Sequence, residues 1–139
     1  YKAGASGLLA LDWFNGVRTP LMDFNLNGLI MGMNLLTKPE EIYLSLIEAT
    51  AYGTRMIIEG FEEAGLEVKD ITLSGGIPIK NEMLVQVYSD VCNRKIKVVD
   101  STQSSALGAA ILGAAAAPER ITGFKNANEA AKKLGKVKR

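Results

Sequence analysis

The sequence predicts an α/β fold, mainly helical with a small parallel sheet, and three observations carry that expectation. Residues 38–64 hold one long stripe of apolar and small residues at helical spacing. Residues 70–99 read as strand, helix, strand with short connections. Residues 104–116 are almost wholly alanine, glycine, leucine and isoleucine, a helix-length apolar run closed by Pro118. Strand, helix, strand, helix in close succession implies a parallel pair joined by a right-handed crossover.

Taken in order, Leu8–Leu11 is apolar and then breaks into Asp12-Trp13-Phe14-Asn15-Gly16-Val17-Arg18-Thr19-Pro20. Asn15-Gly16 and Thr19-Pro20 both signal turns. This predicts an irregular, partly buried loop anchored by Trp13 and Phe14, with Arg18 and Asp23 placed to form an ion pair. Residues 28–36 are apolar and punctuated by Gly28 and Gly32, consistent with a short helix or tight packing. Thr37-Lys38-Pro39-Glu40 fits a capping box, with Thr37 as N-cap, Glu40 three residues on and Pro39 in the first turn. The stripe then runs through Ile42, Leu46, Ala49, Gly53, Met56, Ile57, Gly60, Phe61 and Ala64, and Gly65 with Leu66 supplies a C-terminal stop. Glycine inside a helix costs about 1 kcal/mol against alanine. Gly53 and Gly60 therefore predict close approach of a neighbouring element.

Residues 70–74 read as a strand running into Gly75-Gly76. A helix follows at 81–92, with Asn81 as N-cap and Met83, Leu84, Val87, Tyr88 and Val91 inward. Residues 95–99 form the second strand. The polar run Ser101–Ser105 leads into the helix at 104–116, expected to lie buried against the sheet. An amphipathic turn or two spans 127–134 and ends at Gly135.

Composition narrows the function classes. The chain has 139 residues, enough for one domain with a sizeable core, with 47% hydrophobic and 22% charged residues, as in soluble globular proteins. A net charge of +1 gives no whole-chain field toward nucleic acid or a membrane, and neither is expected as a partner. The most apolar run, 106–117, falls short of the ~20 residues that a membrane helix needs. Cys92 is the only cysteine, so no intrachain disulfide forms; with no signal-peptide pattern at the N-terminus, a reducing cytoplasm is the expected location. No histidine is present, which removes the commonest general base, and one cysteine cannot build a zinc site. Glu40, Glu41, Glu62, Glu63 and Asp12 are explained by caps, solvent faces and loops, so no catalytic or metal-binding carboxylate set is expected. Cys92, at a helix end with no histidine to activate it, reads as packing. Beyond Pro118 the tail carries seven Lys/Arg against two Glu and one aromatic, Phe124, a solvated terminal helix rather than a nucleic-acid surface.

The chemistry-bearing candidate is Leu73-Ser74-Gly75-Gly76-Ile77-Pro78-Ile79-Lys80-Asn81. A strand ends in a Gly-Gly turn, and a helix N-terminus opens a few residues later. Glycine lets a backbone reach contact distance of a flat ring or a phosphate. A helix N-terminus adds unpaired N–H donors and partial positive charge. In open α/β sheets, ligands sit at the carboxyl ends of strands. The same residues would also serve as a tight turn with no ligand. The pattern is neither a P-loop nor a dinucleotide fingerprint.

The residues also carry a resemblance. Gly28-Leu29-Ile30-Met31-Gly32-Met33, followed after seven residues by Glu41-Ile42-Tyr43-Leu44-Ser45-Leu46-Ile47-Glu48, resembles the second signature of the FGGY carbohydrate kinases, Leu46 departing from the usual small or β-branched choice. Gly75-Gly76 with Asn81 is similar to that family's adenosine-binding motif. Ser105-Ala106-Leu107-Gly108-Ala109-Ala110 resembles its glycine/alanine helix after the last strand. Asp12-Trp13 stands where other members more often carry Pro-Tyr, and the stretches 10–16, 37–43, 48–55 and 129–135 are similar to one ketose-kinase branch.

The resemblance implies an actin-like, ribonuclease-H-like C-terminal lobe, truncated, with ATP and Mg2+ as cofactors and a sugar as the second partner of the whole protein. It implies adenosine-binding roles for Gly75, Gly76 and Asn81. Residues 1–139 are then expected as a partial C-terminal nucleotide-binding domain. The sugar lobe, the aspartate base and the phosphate loop would lie upstream, so the chain alone would hold no catalytic residue and show no turnover. Self-association through the face that missing strands would cover is also expected. Another ketose or polyol kinase of the family, or a non-catalytic actin-like nucleotide-binding module, are the alternatives.

Overall fold

The computed structural model describes residues 2–135 and 137–138. The elements run β1 (Leu9–Leu11), β2 (Leu29–Met31), α1 (Pro39–Glu63), β3 (Asp70–Leu73), α2 (Gly76–Lys80), α3 (Glu82–Cys92), β4 (Lys95–Val99), α4 (Ser104–Ala116), α5 (Glu119–Thr122), α6 (Ala127–Leu134) and β5 (Val137–Lys138). They form two compact units. The first comprises Tyr1–Lys69 and Gln86–Arg94, the second Asp70–Val85 and Lys95–Arg139. The expected mainly helical α/β fold with a small parallel pair is what the elements build.

In the first unit β1 and β2 pair antiparallel, Leu9 opposite Met31 and Leu11 opposite Leu29, and β1 packs on α1. This corrects two expectations, since residues 9–11, read as the opening of a loop, are a strand, and 29–31, read as part of a short helix or tight packing, are a strand as well. Each strand is only three residues long, too short for alternation to register, and a long loop separates the partners. Within that loop Val17, not Phe14, is the buried anchor. The backbones of Val17 and Asp23 exchange N–H···O bonds of 2.8 and 2.9 Å. Phe14 is 64% exposed, and its ring lies where a Cβ on Gly28 would sit. Asp23 accepts from the Asn25 N–H at 2.9 Å, and the expected Arg18–Asp23 ion pair is absent among the described residues.

Helix α1 begins one residue later than the capping box predicted. The Thr37 hydroxyl is occupied, accepting from the Asn34 N–H at 2.9 Å. Lys38, in extended backbone, becomes the N-cap residue, and the Glu41 carboxylate accepts its N–H at 2.8 Å. Glu40 and Glu41 also place negative charge at the positive end of the helix dipole. At the other end Gly65 and Leu66 donate back to the carbonyls of Glu62 and Phe61, both at 2.9 Å, the two bonds of a Schellman stop, as the sequence led one to expect.

The buried face of α1 is Leu44, Ser45, Ile47, Glu48, Ala51 and Ile58, together with Ala49, the one member of the predicted stripe that is buried. Each Leu or Ile so buried contributes about 1.5–3 kcal/mol. The polar members are satisfied: Ser45 Oγ donates to the Ile42 carbonyl at 2.8 Å, and Glu48 accepts the Gly4 N–H at 2.6 Å. Gly53 and Gly60 do not mark a close approach, for a Cβ at either would meet nothing within 4 Å. The later turns of α3 complete this unit. Val87 and Cys92 are buried there, Arg55 donates to the Val91 carbonyl at 3.2 Å and ion-pairs with Glu59, and Arg94 joins the Val68 carbonyl at 2.8 Å and the Glu62 carboxylate.

In the second unit β3 and β4 run parallel, Asp70 opposite Lys95 through Leu73 opposite Val98, and β5 adds antiparallel to β4. Lys97 bridges to Asp70 at 2.5 Å across the parallel pair. Helix α4 packs chiefly on α6, where Ala130 is fully buried. None of the α4 residues is buried, which corrects the expectation of a helix buried against the sheet: an all-round apolar helix marks burial only when something is present to cover it. Asn126 caps α6 by accepting from the Glu129 N–H at 3.0 Å. Of the basic tail, Lys136 and Arg139 lie outside the described residues.

Candidate functional site

Parallel pairing in register brings β3 and β4 to a common carboxyl edge, Leu73 beside Val98. Ser74 and Gly75 leave the first strand there, and Asp100–Gln103 leave the second. Gly75 turns with φ 103° and ψ −178°, a conformation open to glycine and costly for any residue with a Cβ. Its N–H donates to Ser104 Oγ at 3.2 Å, and Ser104 Oγ in turn donates to the Ser101 carbonyl at 2.9 Å. The two loops of the edge are thereby fastened through one hydroxyl at the first residue of α4. The residue capping α4, Gln103, makes no side-chain capping bond.

Gly76 differs from Gly75. It opens α2 without a positive φ, and a Cβ on it would meet nothing within 4 Å. Neither backbone geometry nor packing in this chain requires a glycine, and alanine would favour the helix by about 0.5–1 kcal/mol. What the missing side chain leaves is open space at the carboxyl edge of a parallel pair, where a flat ring or phosphate can approach the main chain.

Asn81 stands at the far end of α2. Its Oδ1 accepts from the Leu84 N–H at 3.0 Å, so it caps α3 as its sequence position suggested. The structure thus joins Gly75 to Ser104, with Gly76 next in the chain as the first residue of α2 and Asn81 five residues beyond it. Sequence reasoning missed the one-turn helix α2 and the role of Ser104. The only signal was the serine-rich run 101–105, which read as a helix lead-in.

The first unit holds a cleft of about 430 Å3 between the hairpin and α1, walled by Leu9, Leu11, Trp13, Leu29, Met31 and Met56. Its chemistry is apolar, with Asp12 the one ionisable carboxylate on its wall. Elsewhere in that unit the Cys92 thiol is pushed above its ordinary pKa by burial, against the opposing pull of Arg55 and Arg94, and its Sγ lies 3.9 Å from the Ala51 carbonyl oxygen. That is a packed thiol, not an activated nucleophile. Among the described residues no three His, Cys, Asp or Glu side chains come together to hold a metal ion by themselves. No described helix is long and apolar enough to cross a membrane.

Comparison with known proteins adds the following. The profile described as "FGGY family of carbohydrate kinases, C-terminal domain" matches residues 1–117. The ribulokinase of Anoxybacillus flavithermus is 52% identical over 138 residues, covering 99% of this chain and 24% of that protein. The ribulokinase of Geobacillus thermodenitrificans is 51% identical over the same shares. The chain thus spans about a quarter of the length of these relatives. Among solved structures, Plasmodium falciparum glycerol kinase with ADP superposes with a TM-score of 0.76 at 24% identity, over 96% of this chain and 26% of that one. Ligand-bound xylulose kinase from Lactobacillus acidophilus superposes with a TM-score of 0.77 at 19% identity, over 99% and 27%. At such identities the superpositions speak to the fold alone.

Proposed function

The chain belongs to the FGGY family of carbohydrate kinases, and from that premise we propose that it is the ATP-binding, C-terminal part of a longer sugar kinase. In the proposed reaction the γ-phosphoryl group of ATP passes to the 5-hydroxyl of L-ribulose, giving L-ribulose 5-phosphate and ADP. The observation that carries the nucleotide assignment is the Gly75-Gly76 turn, open at the carboxyl edge of β3 and β4 with room at Gly76 that the fold itself does not use. Gly75 and Gly76 line the adenosine, with Asn81 at its margin. The sugar assignment is supported by the identity to ribulokinases over nearly the whole chain. The setting is cytoplasmic, as in L-arabinose catabolism, with ATP and the sugar as partners.

This chain's share of the work is binding and orientation. Phosphoryl transfer also needs positioned phosphates and an oriented nucleophile. Among the described residues no three His, Cys, Asp or Glu side chains gather to hold a metal ion, and the sequence has no histidine to serve as a base. The purified 139-residue chain should therefore show no ATP-dependent turnover of L-ribulose, and activity above background would refute the proposed division of labour. In the complete kinase carrying this chain, Gly76→Val should raise the KM for ATP by an order of magnitude or more while leaving that for L-ribulose within about twofold. Equal effects on both, or none, would remove Gly76 from the nucleotide pocket. Preferred turnover of another ketose or polyol by the complete kinase would remove the sugar assignment alone.

A further inference from the structure

We infer that Ser104 is a positioning residue for the nucleotide, an inference that rests on the adenosine reading of the Gly75-Gly76 turn. The turn has little else to hold it. The Gly75 main chain occupies a φ of 103°, a Cβ on Gly75 or Gly76 would meet nothing within 4 Å, and α2 is only five residues long with no side-chain cap. A glycine turn so lightly packed has many conformations available to it.

One side-chain oxygen narrows them. Ser104 Oγ accepts the Gly75 N–H at 3.2 Å and donates its own proton to the Ser101 carbonyl at 2.9 Å, so its donor and one acceptor position are both used in a single chain of bonds. Gln103 N–H adds a bond to Ser101 Oγ at 3.2 Å, which fixes the loop that receives the proton. The geometry is that of a latch. It sets how far the loop after β3 stands from the loop after β4, and so fixes where the Gly76 main chain meets an approaching ring. Ser104 itself is half-buried behind the turn and works through Gly75.

Three constraints make the latch specific to a hydroxyl. Alanine cannot accept the Gly75 N–H. Threonine preserves both bonds and adds a methyl at the first position of a helix, where crowding from a preceding turn is absent. Asparagine or aspartate would supply an acceptor at a different reach. Loss of one hydrogen bond shared between neutral groups corresponds to a change of roughly two- to tenfold.

The test uses the complete kinase with four proteins: unmodified, Ser104→Ala, Ser104→Thr and Gly76→Val. ADP affinity by calorimetry and the KM for each substrate are measured alongside the thermal midpoint. Ser104→Ala should weaken ADP and raise the KM for ATP two- to tenfold, with the KM for sugar unchanged and Ser104→Thr close to the unmodified enzyme. A serine that matters only for stability would lower the midpoint and leave ADP affinity alone, and that result overturns the inference. So does a Ser104→Thr protein that is folded yet as defective as Ser104→Ala. If Gly76→Val impairs ADP binding and Ser104→Ala does not, the latch fails and the adenosine reading survives. If Gly76→Val leaves ADP binding intact, both fall.

Discussion

Gly75 and Gly76 are neighbours with opposite demands, and substitution separates them. Gly75→Ala forces a Cβ into a φ of 103° and should destabilise the fold by about 1–3 kcal/mol, whereas Gly76→Ala should be neutral or stabilise it by up to about 1 kcal/mol, as read by urea denaturation. The sequence identifies the pair as a turn but cannot say which member carries the strained dihedral, because that depends on where α2 begins. Cys92 was more legible. A lone cysteine at a helix end in a chain without histidine is packing, and the structure buries it. Its thiol is held above the usual range by desolvation, so a disulfide reagent at pH 8 should react slowly with the native chain and at the rate of a free thiol in denaturant. Fast labelling of the native state would contradict the burial.

Among the elements, α1 was the most readable because 25 residues give periodicity room to register. Its details were less so. Glu40 and Glu41 can each reach back three residues, to Thr37 or to Lys38, and the choice between them turned on whether the Thr37 hydroxyl was free. Chaining steps of three and four also traced a stripe beside the buried face, because small and apolar residues occupy both. Gly53 and Gly60 meet nothing, so Gly53→Ala and Gly60→Ala should each raise stability by about 0.5–1 kcal/mol in thermal or urea unfolding, and a loss at either site would reveal a neighbour. β1 and β2 escaped the sequence because three-residue strands joined by a long loop leave neither alternation nor a hairpin turn to read. In the parallel pair, Asp70 is held below the usual carboxylate range first by its hydrogen bond from Lys97 and then by the charge of that ammonium. The sign follows: a lowered folded pKa makes the contribution complete above about pH 4 and removes it as pH falls through the lower folded value. Asp70→Asn should leave stability below the folded pKa unchanged and lower it slightly at neutral pH, by the small amount an exposed pair contributes, so that the acid limb of the stability curve flattens.

At the scale of the whole molecule, each unit leaves apolar surface uncovered. In the second, α4 has no buried residue and Leu112 is 64% exposed, while β3 stands at one edge of the order β3-β4-β5. In the first, the cleft beside the hairpin is walled by leucine, methionine and tryptophan. Open apolar faces and free strand edges favour pairing with another copy. We propose that the isolated 139-residue chain self-associates at micromolar concentration in sedimentation velocity, and that the complete kinase, whose further length can cover these faces, does not do so through them. A strictly monomeric chain with a high unfolding midpoint would overturn the proposal.

The bond from the Gly4 amide to the Glu48 carboxylate at 2.6 Å has a kinetic side. Amides in an exposed glycine-bearing segment trade their hydrogens with solvent almost without delay. This one is held by an oxygen on a side chain that is itself 5% exposed, so its exchange waits on an opening event that frees the segment from α1. Deuterium uptake at residue 4, followed by nuclear magnetic resonance, therefore times the lifting of the amino-terminal segment separately from any melting of the helix beneath it.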